Sequence, residues 1–236
     1  MQKTKRYILS TRPLPKEIHS EAESEGIIIE ELSFIETQPI EDTQLFEKIK
    51  GLATQKLTVA FTSMNAVEAV VKHIDINVNW NIYCLGNTTR KIIEENLGRD
   101  KIVGTAENAK LLAERMIDDG VKSIVFFCGN IRRDELINKF RSEKANVEEV
   151  IVYETTELPA PLTKEYDAIL FFSPSAVHSF FKANNLNRQT QVFAIGKTTA
   201  EALREHKHHK IIVAHATDKN EVAKQAIAYL SKENIN

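Results

Sequence analysis

Short apolar runs alternate with amphipathic segments along nearly the whole chain. Runs that are almost continuously apolar predict strands buried on both faces, as in parallel sheets covered by helices. Segments with apolar side chains every three or four residues predict helices; in 65–74, for example, Val67, Val70 and Ile74 share one face. The predicted strands are 6–11, 27–34, 57–62, 81–86, 101–103, 123–128, 147–153, 168–172, 192–196 and 210–214.

Helical patterns lie between these strands, and several of them stop at a glycine, as 41–50 does at Gly51. Two stretches with proline inside them, 35–40 and 154–162, are predicted to be connectors. The regular alternation predicts an α/β protein, and five strands per half suit two doubly wound, flavodoxin-like domains with parallel sheets. The predicted helices are 16–25, 41–50, 65–74, 88–97, 108–118, 134–142, 176–183, 198–206 and 220–230.

The two halves of the chain repeat each other. Residues 61–67 match 171–177, and residues 85–89 match 195–199, in residue type and spacing. A second offset aligns residues 17–37 with residues 135–155. The chain thus consists of segments A, B, A′ and B′, which indicates one duplication of a half-chain rather than a solenoid of short repeats. The repeat by itself allows A to fold with either B or B′.

Composition limits the classes of function. With 236 residues, 42% of them hydrophobic, the chain can bury two modest cores, and a net charge of −2 argues against a nucleic-acid partner. No apolar run approaches the ~18 residues of a membrane span. The apolar residues before Arg12-Pro13 are too few to form the hydrophobic region of a signal peptide. Cys84 and Cys128 sit in apolar runs and are predicted to be buried free thiols. We expect a cytoplasmic protein without a membrane partner.

Polar turns follow several predicted strands, where ligands of open parallel sheets bind. Such turns present hydroxyls beside the free N–H groups of a helix start and so can bind carboxylates or phosphates, although serine and threonine there are often only caps. Threonine is expected at the N-cap after Gly86 and after Gly196. The turns are Ser63, Ser173, Gly86-Asn87-Thr88-Thr89, Gly196-Lys197-Thr198-Thr199 and Cys128-Gly129-Asn130-Ile131-Arg132-Arg133.

Other chemical signals are weak. No dinucleotide or P-loop glycine pattern follows a strand, and no serine elbow is present. The tract His206–His209 suggests a metal site, but a solvated helix end explains it better. Tyr153 ends a strand just before the second connector, and Ile35 takes the equivalent place in the first half. Its phenol is either a packing group or a proton donor to a leaving hydroxyl.

Together these motifs resemble the uroporphyrinogen-III synthase family over nearly the whole chain. Each motif is weak alone, and their order, spacing and the chain length make the resemblance specific. The motifs are Phe61-Thr62-Ser63 with Asn65-Ala66-Val67, Gly86 with Thr89, Cys128-Gly129-Asn130 with Arg133, Val152-Tyr153-Glu154-Thr155, Phe172-Ser173-Pro174-Ser175, and Ala194-Ile195-Gly196 with Thr198-Thr199-Ala200.

The resemblance implies a cofactor-free lyase that closes hydroxymethylbilane, a linear tetrapyrrole with eight carboxylates, into uroporphyrinogen III with inversion of the D ring. It implies two domains joined by a two-stranded connector, with the substrate in the cleft between them. It also implies that A folds with B′, so the expected domains are 1–36 with 160–236 and 40–155, and the connectors are 36–40 and 155–160. Met64 and Asn65 depart from residues sometimes found after the serine, which leaves the side-chain contacts there open.

By the same resemblance Tyr153 is the expected catalytic residue, and the protein is expected to act as a monomer without a metal. Two rivals remain at this point: a non-catalytic two-domain clamp for an anionic small molecule, and a redox domain that needs a flavin. The expected substrate-binding residues are Arg12, Ser63, Asn65, Thr88, Thr89, Gly129, Asn130, Arg133, Ser173, Ser175, Lys197, Thr198 and Thr199.

Overall fold

Eleven strands and nine α-helices, with one short 3-10 turn at Arg99–Lys101, form the part of the chain that the computed structural model describes, residues 5–208, 210–215 and 218–233. The strands are β1 (Arg6–Ser10), β2 (Ile27–Glu31), β3 (Ile35–Pro39), β4 (Leu57–Phe61), β5 (Trp80–Leu85), β6 (Ile102–Ala106), β7 (Ser123–Gly129), β8 (Asn146–Glu157), β9 (Ala168–Phe171), β10 (Gln191–Ala194) and β11 (Ile211–Val213). The helices are α1 (Lys16–Ser24), α2 (Thr43–Ala53), α3 (Met64–Val71), α4 (Asn87–Leu97), α5 (Ala109–Asp118), α6 (Glu135–Ser142), α7 (Pro174–Phe181), α8 (Lys197–Glu205) and α9 (Lys219–Glu233).

The chain divides into two compact units, Met1–Glu36 with Thr156–Asn236, and Thr37–Thr155. The first unit holds a five-stranded sheet in the order β11-β10-β9-β1-β2, with parallel pairing throughout. The second holds a six-stranded sheet in the order β3-β8-β7-β4-β5-β6, in which the pairs from β8 to β6 are parallel. The predicted α/β class with doubly wound parallel sheets is confirmed.

Helices cover both faces of each sheet, which explains why the central strands are almost wholly apolar. In the first unit α1 and α9 pack on one face, where Ile8 is buried, and α7 and α8 pack on the other, around Phe171 and Phe180. In the second unit α2, α3 and α4 cover the face that includes Phe61, and α5 and α6 cover the face that includes Phe126. Each sheet is therefore the middle of three layers.

The strand order of each sheet reverses once, at β1 and β9 in the first unit and at β7 and β4 in the second. From the first strand of the reversal, β1 or β4, the chain adds strands toward one edge of the sheet and later toward the other edge. Ligands of such sheets bind beyond the carboxyl ends of the strands at this reversal, because the loops there diverge and leave a crevice. The loops after β1, β9, β7 and β4 are therefore the first places to look for a site.

Of the two stretches predicted to be connectors, residues 35–39 and 154–157 form strands in the structure, whereas Ile40 and residues 158–162 do not. β3 includes Pro39, and β8 continues unbroken to Glu157. Ile40 N–H donates to Val152 O, and Leu158 N–H donates to Phe34 O, so the two strands run antiparallel. This ladder is polar and lies at a sheet edge, where proline is tolerated, and its sequence therefore lacks the apolar run that marked the other strands.

Gly51 does not end its helix, contrary to the prediction. α2 continues through it to Ala53, and this extra turn buries Leu52. A glycine inside a helix costs about 1 kcal/mol relative to alanine, which the burial of a leucine side chain, worth roughly 1.5–3 kcal/mol, offsets. Within the described residues, no helix combines the length and the apolar character that crossing a bilayer requires.

Candidate active site

Three of the predicted site residues lie side by side at the strand-order reversal of the second unit. The register pairs Phe61 of β4 with Phe127 of β7, and Ser63 and Gly129 each follow two residues later along the chain. Gly129 is paired in turn with Tyr153 of β8. Ser63 and Gly129, at the ends of β4 and β7, and Tyr153, within β8, thus form a row across three adjacent strands. Contrary to the prediction, β8 does not end at Tyr153 but continues to Glu157.

The ring of Tyr153 lies over the backbone of Gly129. A Cβ added to Gly129 would be 2.5 Å from two ring carbons and 2.9 Å from the phenol oxygen. No side chain fits at those distances, so the ring can take this position only over a glycine. A register irregularity between Cys128 and Gly129 leaves Val152 as an extra residue in β8, and such a bulge redirects the side chain that follows it.

The pKa of the Tyr153 phenol is raised above its ordinary value. Burial is the main cause, since the side chain is only 8% exposed and a phenolate there would lose most of its hydration. Hydrogen bonding by the Ser63 hydroxyl opposes the rise, and the nearby Cys128 thiol adds slightly to it. The phenol is therefore protonated at neutral pH and able to donate a proton or a hydrogen bond.

The Asn130 side chain binds the backbone of β8. Its Oδ1 accepts from the N–H groups of Thr155 and Ile131, both at 2.8 Å, and its Nδ2 donates to Thr155 O at 3.3 Å. Its own N–H donates to Tyr153 O at 3.2 Å. The amide expected to bind substrate is thus engaged in fixing β8 on either side of Glu154, which steadies the strand that carries the phenol.

The two arginines after this turn have different surroundings. Arg132 is ion-paired with Glu149 on β8, and its Nε is buried without a hydrogen-bond partner among the described residues. Arg133, the arginine expected to bind substrate, is half-buried, and its Nη1 lies 3.5 Å from Glu135 Oε1. The guanidinium of Arg133 thus lies near the start of α6.

The two repeated serines cap helices. Ser63 Oγ accepts from Asn65 N–H at 3.2 Å at the start of α3, and Ser173 Oγ accepts from Ala176 N–H at 3.2 Å at the start of α7. Ser173 also lies 3.2 Å from the Ser175 hydroxyl. Each serine satisfies one free N–H group of its helix and keeps a hydroxyl proton that can be donated elsewhere.

The threonine turns differ from the prediction, because glycine rather than threonine is the N-cap. Gly86 precedes α4 with φ 45°, a left-handed conformation that favours glycine. Thr88 and Thr89 therefore lie one and two residues inside the helix start, Thr88 exposed and Thr89 only 8% exposed. The hydroxyl of Thr88 is the accessible one in this turn; nothing is described for the side chain of Asn87.

The matching turn of the first unit also has a glycine N-cap, but the backbone of Gly196 is extended, with φ −169°. Gly196 is the N-cap of α8, Thr198 is half-buried and Thr199 is 1% exposed. Lys197, the first residue of the helix, is exposed. Arg12, in the loop after β1, is exposed as well. These two cations and the capped start of α7 supply the positive charge and the donors of this unit's predicted turns.

The contact between Gly129 and Tyr153 was not predicted, although both residues were. The repeat contains a signal for it: Thr11 stands where the other half has Gly129, and Ile35 stands where it has Tyr153. Thr11 is buried, and its hydroxyl donates to Leu170 O at 2.7 Å. Both positions thus differ between the two halves of the chain, as expected if the tyrosine ring requires a glycine beneath it.

The histidine tract follows the end of α8, as predicted, and His206 is exposed. His206 stacks on Phe181, and its Nε2 lies 3.1 Å from His178 Nδ1. His208 is buried, and His209 lies outside the described residues. Within the described ranges no three His, Cys, Asp or Glu side chains group closely enough to hold a metal ion.

The cysteines behave as predicted, since both are buried and free. Burial raises the pKa of each thiol, Cys84 and Cys128, to about 11, so neither is a thiolate at neutral pH.

A family model described as uroporphyrinogen-III synthase HemD matches residues 16–223. The chain belongs to the uroporphyrinogen-III synthase family. That family consists of cyclising lyases of tetrapyrrole biosynthesis, which act on a small-molecule tetrapyrrole. The match covers every strand except β1 and includes Ser63, Gly129 and Tyr153.

Solved structures of that family have the same fold. A mutant uroporphyrinogen III synthase from Thermus thermophilus matches with a TM-score of 0.75 at 17% identity, covering 97% of this chain and 99% of that one. The enzyme from Helicobacter pylori matches with a TM-score of 0.60 at 18% identity, covering 95% and 99%. An uncharacterized protein of Rickettsia prowazekii is 31% identical over 117 residues, 49% of this chain, and the match spans only 40% of that relative's length.

Proposed function

We propose that this protein closes hydroxymethylbilane into uroporphyrinogen III, with Tyr153 as the group that assists loss of the substrate's hydroxyl. The observation that carries the proposal is the buried, protonated phenol at the strand-order reversal of a chain that belongs to this family. A neutral phenol held in place is suited to donate to a leaving oxygen.

Binding of the substrate is proposed to rely on hydroxyls and backbone N–H groups more than on cations. The substrate carries eight carboxylates, and the chain has a net charge of −2. Helix starts attract anions because their first N–H groups are unpaired and point outward. The groups proposed to bind the substrate carboxylates are the starts of α3, α4, α7 and α8, together with the exposed cations Arg12 and Lys197.

In the proposed reaction the C–O bond of the terminal hydroxymethyl group breaks, and the hydroxyl takes up a proton and leaves as water. Tyr153 donates the hydrogen bond or proton that makes this departure possible. The azafulvene that remains is attacked by the already substituted carbon of the D ring, giving a spiro intermediate. That intermediate reopens and closes the other way, and a proton is lost from the newly joined ring carbon, so the net change is the loss of one water.

Conformational control is the second contribution we propose. The linear substrate also closes without an enzyme, to the symmetric type I isomer. The protein therefore has to hold the chain so that attack from the substituted D-ring carbon is faster than simple closure. Holding two reacting groups in contact lowers a barrier mainly through entropy that has already been lost on binding.

The proposal is tested by incubating the purified protein with hydroxymethylbilane, without added metal, nucleotide or flavin, and separating the product isomers. The type III isomer should dominate, and heat-inactivated protein should give only type I. If the native protein binds the substrate but yields type I at the spontaneous rate, it is a clamp rather than a synthase. We further propose that it works as a cytoplasmic monomer without a cofactor; sedimentation at assay concentration tests the oligomeric state.

A further inference from the structure

We propose that Asn130 is a positioning residue for Tyr153, whose side-chain amide extends the pairing of β7 with β8 and so fixes the tyrosine ring over Gly129. This rests on the function proposed above, because it concerns the residue that assists loss of the hydroxyl. It gives Asn130 a role in the reaction other than the direct contact with substrate expected from the sequence.

The Asn130 side chain takes the place of a backbone carbonyl in the sheet. In a parallel ladder a residue donates its N–H to the neighbouring strand, and its carbonyl accepts from the N–H two residues further along that strand. Asn130 N–H donates to Tyr153 O at 3.2 Å, so its carbonyl would regularly accept from Thr155 N–H. Asn130 Oδ1 accepts from that N–H instead, at 2.8 Å. β7 ends at Gly129, and the side chain thus continues its pairing with β8 by one residue.

This continued pairing matters because β8 is irregular just before Tyr153. The register irregularity leaves Val152 without a partner in β7. A bulge bends and twists its strand, so the direction of the next side chain depends on the hydrogen bonds beyond the bulge. Asn130 supplies such bonds at Tyr153 O and at both backbone polar groups of Thr155. Since the ring lies so close to Gly129, a small rotation of this strand would displace the phenol.

The amide has little capacity left for a substrate. Asn130 Oδ1 has two lone pairs, and it accepts from the N–H groups of Thr155 and Ile131, both at 2.8 Å. One of the two Nδ2 protons goes to Thr155 O at 3.3 Å. Three of the four hydrogen bonds that this amide can form are therefore made to the backbone of its own unit.

The first half of the chain has neither the phenol nor the amide. Ile35 stands where the second half has Tyr153, and Arg12 stands where it has Asn130. Arg12 is exposed, and its N–H donates to Ser10 Oγ of its own strand at 3.5 Å. The parallel sheet of the first unit forms without an asparagine at this place. The amide therefore accompanies the tyrosine rather than the fold.

The test compares Asn130→Ala with Asn184→Ala, a matched control in the other unit. Asn184 also binds backbone with its amide: Oδ1 accepts from Leu162 N–H at 2.7 Å, and Nδ2 donates to Ala160 O at 2.8 Å. Both variants lose backbone hydrogen bonds and should lower the melting temperature by similar amounts. Only Asn130→Ala should shift the Tyr153 signal in NMR of protein labelled with carbon-13 at the tyrosine Cζ. Tyr153→Phe assigns that signal.

Kinetics separate positioning from substrate binding. Asn130→Ala should lower kcat for the type III isomer about 10- to 100-fold with little change in KM, since misplacing a reacting group by about 1 Å can cost 10²-fold. The same substitution in the Tyr153→Phe variant should cause no further fall, because Asn130 acts through the phenol. Asn130→Asp, whose carboxylate still accepts from both N–H groups, should restore the Tyr153 resonance and most of kcat.

The inference is overturned if the Tyr153 resonance is the same in Asn130→Ala as in the wild type. It is also overturned if KM rises while kcat is unchanged, because Asn130 would then be a substrate ligand. If Asn130→Ala does not fold, Asn130→Gln moves the amide by one methylene and should shift the same resonance. Failure of the proposed function looks different: Tyr153→Phe would make type III at the normal rate, and the resonance alone would decide whether Asn130 fixes the tyrosine.

Discussion

Tyr83 lies over Gly104 of the neighbouring strand in the same way that Tyr153 lies over Gly129. A Cβ on Gly104 would be 2.5 Å from two carbons of the Tyr83 ring, and a register irregularity again precedes the pair. Tyr83, however, donates to Asp119 Oδ2 at 2.9 Å, and burial together with that bond raises its pKa to about 12. The sheet thus contains one phenol with a structural partner and one at the proposed site.

The pair supplies a matched test of why Gly129 is glycine. Gly129→Ala and Gly104→Ala should each destabilise the protein by roughly 1–3 kcal/mol, because both force a buried ring to move. Only Gly129→Ala should also lower the type III rate per folded molecule, by displacing Tyr153. Denaturant unfolding measures the first effect and the isomer assay measures the second. Equal activity of the two variants would show that the position of the phenol over Gly129 does not matter to the reaction.

The threonines of the α4 turn should separate binding from stability. Thr88 is exposed and Thr89 is buried, so Thr88→Ala should raise KM for hydroxymethylbilane about tenfold or more at an unchanged melting temperature, as expected when a hydrogen bond to a carboxylate is lost. Thr89→Ala should lower the melting temperature. If Thr88→Ala leaves KM unchanged, this helix start does not bind substrate through its hydroxyl.

Acid should remove the contribution of Glu30 to stability. Lys164 Nζ lies 2.6 Å from its Oε1, and the Tyr166 hydroxyl donates to its Oε2 at 2.7 Å; these bonds, that to Lys164 first, lower the pKa of Glu30 below its ordinary value. The carboxylate form is therefore favoured by folding. The stabilisation is complete above the ordinary pKa of about 4.3 and is lost as the pH falls through the lowered value.

The matched variant is Glu30→Gln. Its melting temperature should be below that of the wild type between pH 6 and 8, by a small amount because the pair is well exposed. The difference should shrink as the pH falls below about 4, where the wild-type carboxylate takes up its proton. A difference that is the same at low and at neutral pH would mean that Glu30 contributes through packing rather than through its charge.

How far the sequence predicted the fold depended on burial. Strands such as β4 and β9 are apolar because helices cover both of their faces, and their patterns predicted them and the parallel sheets correctly. β3 and the end of β8 are half-exposed and polar, so the same reasoning took them for connectors. The local pattern predicts that the helix ends at Gly51. The burial of Leu52, which accompanies the extra turn, is a tertiary effect that this pattern does not contain.

The site was predicted as a set of turns, and the structure adds the contacts within them. Gly129 and Tyr153 were identified separately, since the irregular register that brings them together leaves no mark in either segment. At the helix starts, the sequence could not tell whether Gly86 or Thr88 is the cap, a difference of two residues that decides which hydroxyl is exposed. The roles of these residues toward substrate remain predictions.

Tyr153→Phe with separation of the product isomers tests the central claim most directly. The variant keeps the ring over Gly129 and loses only the hydroxyl, so folding should change little, and a melting curve checks this. A positioned acid contributes about 10²- to 10⁴-fold. The type III rate should fall by about that factor, and the product should shift to type I as spontaneous closure overtakes the enzyme. If Tyr153→Phe instead makes the type III isomer at the wild-type rate, Tyr153 is a packing residue, and the account of its role in the reaction is wrong.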